Sequence, residues 1–256
     1  MKRTIVSILI TIILTSCIER KNKEIPVEEP AKILKSLLSF LEYNRDHLRL
    51  SEDFEALDTG SVRISKENFL RLLSSGNYLP LRLISDDTAR YQLYKLGPLT
   101  PTDIRTTIQE MAKNYYRHYK MEGQKLPAFN FIDLKGNVYN KENTKGKILV
   151  LNFWFISCQA CREEMPALNK LVKSYENRKD ILFVSLALDS KADLETFLLK
   201  TAFNYSVVPD QKVYLTKYFP VSLYPTQVVV NKNGVITKVV NDHTEMIPAL
   251  YQESVK

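Results

Sequence analysis

The sequence predicts an α/β protein in two parts: an open sheet with flanking helices in residues 126–256, preceded by a mainly helical segment in residues 31–125. Three observations carry that expectation. Two continuous apolar runs, residues 147–156 and 181–188, have the composition of strands buried on both faces of a sheet, and a segment of helical period follows each. Two further runs, residues 226–230 and 235–240, are closed by Asn233 and Gly234, a strong hairpin signal. Ahead of residue 126, apolar residues recur instead at three- and four-residue spacing.

Taken in order, the chain opens with Lys2 and Arg3 and a short apolar run from Ile5 to Leu14. The run falls short of the roughly 20 apolar residues that a spanning helix needs, so it reads as a secretory signal. Residues 18–30, with Lys, Glu, Pro26 and Pro30, read as a flexible tether. Leu34, Leu37, Leu38 and Leu41 mark one helix, and Phe69, Leu70, Leu72 and Leu73 another that ends near Gly76. Residues 81–84 and 91–96 read as short strands. A longer helix is expected from Thr100, with Pro101 in its first position, a buried face of Ile104, Ile108, Met111, Ala112 and Tyr115, and a stop at Gly123. No chemical motif stands out in residues 31–125.

The second part begins with a hairpin over residues 129–138 that turns at Lys135-Gly136-Asn137. Helices are expected over residues 159–175, 191–202 and 246–251. A short strand is expected at 205–208, and a helical turn at 214–219.

Composition narrows the function classes. With 45% hydrophobic and 25% charged residues the chain is globular, and 3 Cys are too few for a disulfide-stapled scaffold. The net charge of +7, about +5 without Lys2 and Arg3, suits solubility and does not argue for nucleic acid. The basic-aromatic cluster from Tyr115 to Lys120 reads as an ordinary half-buried helix face.

The cysteines carry the chemistry. Cys158-Gln159-Ala160-Cys161 sits where a buried strand gives way to a helix, so Cys158 falls at the helix amino terminus, where backbone N–H groups favour an anion. A thiolate is the nucleophile of disulfide exchange, and such a terminus lowers a cysteine pKa. Cys161, one turn further on the same face, is placed to resolve a mixed disulfide. The pair by itself also fits a static disulfide or half of a zinc site. Beyond it the chain offers His47, His118 and His243 but no second cysteine pair, so no metal site is expected.

The stretch from Asn152 to Pro166 resembles the active site of the thioredoxin superfamily, and most resembles its TlpA/ResA-like extracytoplasmic branch. Trp154 stands four residues before Cys158, Pro166 five after Cys161, and Tyr224-Pro225-Thr226 is similar to the family's cis-proline loop. The resemblance covers residues 126–253. It implies a thioredoxin-like fold with an amino-terminal β-hairpin extension, preceded by the mainly helical accessory domain. It further implies catalysis by Cys158 and Cys161 as a redox disulfide, with no cofactor, and substrate binding near Tyr224, Pro225 and Trp154. Oxidised protein thiols would be the substrate and a membrane thiol-electron transporter the donor.

Leu14-Thr15-Ser16-Cys17 resembles the lipobox of bacterial lipoproteins, which implies a lipid anchor on Cys17 and folded domains facing the periplasm or exterior. The expected organisation is therefore a signal peptide in 1–16, a lipidated tether in 17–30, an accessory domain in 31–125 and the redox domain in 126–256. Three departures from the family pattern stand out. Ala160 and Ser157 replace a proline and a tryptophan common beside the cysteines, and Asn152 replaces a buried aspartate, so a nearby glutamate or water would have to assist Cys161. Rival readings are a thioredoxin-fold binding or structural module with a static disulfide, and a peroxide-reducing redoxin. The latter signature places a Thr and a Pro before a single attacking cysteine, whereas here Phe155, Ile156 and Ser157 precede Cys158.

Overall fold

A computed structural model describes residues 24–256; the expected signal and Cys17 lie outside the described residues. The second part of the chain forms a five-stranded sheet in the order β11-β10-β7-β8-β9. Its strands are β7 (Ile148–Trp154), β8 (Ile181–Ala187), β9 (Ser206–Val208), β10 (Thr226–Val230) and β11 (Ile236–Val240). β7, β8 and β9 run parallel, while β10 pairs antiparallel with both β7 and β11. All seven residues of β7 are buried, as its unbroken apolar composition predicts.

Alternation along that strand feeds two cores. Leu149, Leu151 and Phe153 pack with Phe131 of the hairpin β5 (Asn130–Ile132) and β6 (Val138–Asn140), and with Leu215 of a π-helical turn, Tyr214–Tyr218. Ile148 and Val150 face the other way, onto Leu168 of α5 (Gln159–Ser174) and Met246 and Leu250 of α7 (His243–Ser254). The turn between β10 and β11 places Gly234 at φ +72°, a conformation that favours glycine.

The first part is richer in sheet than its periodicity suggests. Helices α1 (Pro30–Ile33), α2 (Leu37–His47), α3 (Lys66–Leu73) and α4 (Thr102–Met121) accompany a four-stranded sheet, order β2-β1-β4-β3. The strands β3 (Tyr78–Leu83) and β4 (Arg90–Lys95) overlap the two expected strands, with β3 beginning three residues earlier and ending one residue earlier. β1 (Glu55–Leu57) and β2 (Arg63–Ile64) are too short to register as periodic patterns. Ser36 and Ser65 cap α2 and α3 by accepting the N–H three residues on. Because the Ser36 cap restarts the helix at Leu37, its buried face is Phe40 and Tyr43, and Leu38 and Leu41, expected inside, are exposed. Pro101 is the cap residue of α4, not its first helical residue.

The tether expectation is corrected for residues 24–27. Ile84 N–H donates to Ile25 O and Val27 N–H to Arg82 O, which adds this segment to the free edge of β3. Glu24 forms an ion pair with Arg90 at 2.9 Å. The exposed donors and acceptors of an edge strand give the segment its partners. The other sheet's edge, β11, is closed in the same way. Gly123 N–H donates to Ile236 O, Ile236 N–H to Gln124 O, and Val239 N–H to a Glu122 carboxylate oxygen, so the end of α4 is fastened along that strand.

Candidate active site

Parallel β7 and β8 bring their carboxyl ends to one edge of the sheet, and the antiparallel β10 begins there. The site is assembled from the three loops at that edge. After Trp154 the chain turns through Phe155–Ser157, pinned by Ile156 N–H donating to an Asp189 oxygen beyond β8 at 2.8 Å. Cys158 is the amino-terminal cap of α5, and its Sγ accepts the Cys161 N–H at 3.2 Å. The two cysteines form a disulfide with Cα atoms 5.3 Å apart. Cys158 is 8% exposed and Cys161 2%.

The peptide bond from Tyr224 to Pro225 is cis, as the family resemblance implies. Tyr224 is half-buried, packs into the cluster that holds both cysteines, and meets Phe155 edge to face at 5.3 Å between ring centres. Pro225 O accepts from the Asn241 side chain at 2.8 Å, and the same amide donates to Thr226 Oγ1.

Trp154 requires a correction. It is wholly buried, between Phe197 and Phe203 and in the same cluster as the cysteines, so contact with substrate is closed to it. A large flat side chain at the end of an all-buried strand goes inward with its neighbours.

The adjacent Glu163 and Glu164 suggest a solvated helix face, but only Glu163 is exposed. Glu164 lies one turn beyond Cys161, and because Cys161 faces inward, so does Glu164. That spacing was the available signal. Its carboxylate accepts from Gln227 Nε2 at 2.9 Å and from the His243 N–H at 3.2 Å, with His243 Nδ1 3.1 Å away. Burial pushes the Glu164 carboxyl above the usual range, against the lowering effect of His243. Gln227 stands directly across the sheet from Asn152. Through Gln227 the Glu164 carboxylate of the helix is linked to the strand position opposite Asn152, where the family pattern has a buried aspartate.

Among the described residues, Glu164, Asp242 and His243 bring side-chain donor atoms within 4.8 Å of one another, the grouping best able to hold a cation. Their oxygens already have partners: those of Glu164 as above, and Asp242 Oδ1 by capping α7 through Thr244. Of the other histidines, His118 is buried in α4, and burial pulls its ring down to about 4.

A cysteine pair at the head of a helix, beside a cis-proline loop at the carboxyl edge of this sheet, defines a thiol-disulfide oxidoreductase of the thioredoxin fold. Residues 122–239 match the AhpC/TSA family. The thioredoxin-like protein YneN of Bacillus subtilis (strain 168) is 30% identical over 131 residues, 48% of this chain and 76% of its own length. The thiol-disulfide oxidoreductase ResA of Geobacillus kaustophilus (strain HTA426) is 29% identical over 119 residues, 46% of this chain and 68% of its own. Among solved structures, a thiol:disulfide interchange protein DsbE from Chlorobium tepidum superposes with a TM-score of 0.46 at 26% identity, over 52% of this chain and 95% of that one. The chain belongs to the AhpC/TSA family of thioredoxin-like proteins.

Proposed function

We propose that the protein reduces protein disulfides outside the cytoplasm, held at a membrane by lipid on Cys17. The observation that carries this reading is the position of Cys158 as the cap of α5, with its sulfur accepting the Cys161 N–H and the residue more exposed than its partner. In the reduced protein the Cys158 thiolate attacks one sulfur of a substrate disulfide, forming a mixed disulfide and releasing the other sulfur as a thiolate. Cys161, giving its proton to Glu164, then attacks Cys158 Sγ and expels the second substrate thiolate. Two electrons pass to the substrate and the Cys158–Cys161 disulfide remains. A membrane thiol-electron transporter is the class of donor that would restore the dithiol.

The backbone at Tyr224, next to cis-Pro225, lies beside the cysteines and offers the place for a substrate strand to pair. No helix of the described residues is long and apolar enough to cross a membrane. The reduction potential tests the direction: a value near about −270 mV supports a reductase, and one near about −120 mV overturns that direction in favour of an oxidase. Alkylation of the reduced protein at mildly acidic pH is expected at Cys158 before Cys161. A Cys158 that titrates as an ordinary thiol would leave only a structural disulfide. Loss of labelled palmitate from the Cys17→Ser protein in cells tests the anchor.

A further inference from the structure

The accessory part touches the cis-proline loop itself. Helix α4 carries two stripes. Ile104, Ile108 and Ala112 fill its own core. Asp103, Thr107, Glu110, Asn114 and Arg117, alternating at four- and three-residue spacing, form a second, polar stripe. That second stripe faces Ser222 and Leu223, the two residues before Tyr224, across a cleft of about 890 Å³.

Two hydrogen-bonded connections span the junction. Arg117 donates to Ser222 Oγ at the cleft's rim. At its floor the buried Asn114 side chain donates to Asn241 Oδ1 at 2.6 Å, and Asn241 in turn holds Pro225 O and Thr226 Oγ1. Asn114 is 6% exposed, and its Oδ1 has no hydrogen-bond partner among the described residues.

We propose that α4 is one wall of the substrate groove, and that the occupant of the cleft is the polypeptide flanking the target cysteine of a protein disulfide. This rests on the reductase reading above and extends it to the accessory part. Continuity fixes the occupant. Tyr224 packs against the cysteine cluster, and Leu223 and Ser222 follow within about 8 Å along the backbone. A substrate strand paired beside Tyr224 advances about 3.3 Å per residue, so a few residues carry it from the disulfide into the cleft. Leu223, half exposed at 49%, and Thr106, on the exposed side of α4, present the apolar and hydroxyl surface it would meet. A small disulfide such as oxidised glutathione reaches Cys158 without filling this cleft. A polypeptide has to lie in it.

The test uses the full chain with dithiothreitol as the electron donor, and compares kcat/KM for insulin with kcat/KM for oxidised glutathione. Thr106→Arg places a long side chain in the cleft at an exposed position where arginine is the better helix former, so folding is not at stake. The insulin-to-glutathione ratio is expected to fall by at least about fivefold, through KM more than kcat. A smaller fall overturns the proposal while leaving the reductase reading in place. Failure of the unsubstituted protein to turn over either disulfide overturns the reductase reading, and this proposal with it.

Discussion

The five-stranded and four-stranded sheets of this protein are buried in different ways. Every residue of β7 is buried, and its side chains alternate between two separate cores. In β4 only Tyr91 and Leu93 are buried, within the single core of the first part, while Arg90 and Gln92 are half-buried and Tyr94 and Lys95 exposed. A strand covered on both sides has no room for chemistry along its length, so reactive groups gather at its carboxyl end, where the chain leaves the sheet. The one-faced sheet has a different use. It fills one stripe of α4 and leaves the other stripe to border the site.

The largest effect expected is at the carboxyl edge itself. Cys158→Ser removes the nucleophile, and protein-disulfide turnover should fall by more than about 10³-fold. Cys161→Ser should instead accumulate a mixed disulfide, visible as a mass increase under non-reducing conditions.

The sheets themselves come next. Leu151→Ala in β7 is expected to cost about 2–5 kcal/mol in urea unfolding, because the side chain is wholly enclosed. Tyr94→Thr on the open face of β4 should stay within about 0.5 kcal/mol. Similar costs for the two would dissolve the contrast.

The junction between the parts should respond to acid. His118 is buried in α4 and its ring is held down to about 4, first by burial and then by Arg117. Between about pH 6.5 and pH 4 the unfolded chain binds a proton that the folded chain refuses, so stability is intact above this window and lost as pH falls through it. The loss is about 3 kcal/mol. The difference between the wild-type and His118→Gln urea midpoints across the window should reveal it. An unchanged slope would place His118 in a solvated setting.

A smaller effect is expected at Glu164. Burial holds its carboxyl above the usual carboxylate range, and Glu164→Gln should slow resolution of the mixed disulfide on the order of 10²-fold or less, with a flatter pH profile in weak acid. Stopped-flow thiol release measures both.

Legibility in the sequence followed physical locality. The buried strands, the cysteine-bearing helix and the hairpin turn at Gly234 each declare themselves within a short window, through composition, spacing or a required turn conformation. β1 and β2, at three and two residues, are too short to show a period. The buried face of α2 shifted because one serine cap reset where the helix begins. Trp154 sits where the family pattern puts it, but its burial between Phe197 and Phe203 depends on residues more than forty positions away.

By itself the sequence determined the redox chemistry: two cysteines one helical turn apart at a strand-to-helix junction, beside a loop whose proline marks it out. Only the tertiary structure decided what surrounds them. It turned Glu164 inward onto Gln227 and His243, fastened the end of α4 along β11, and brought Asn114 through Asn241 to Pro225. Apart from Asn241 and Pro225, which are 16 positions apart, those contacts join residues 63 to 127 positions apart, and no local propensity encodes them. They form because two sheet edges and a second helix stripe had unmet surface, and the fold brought them together.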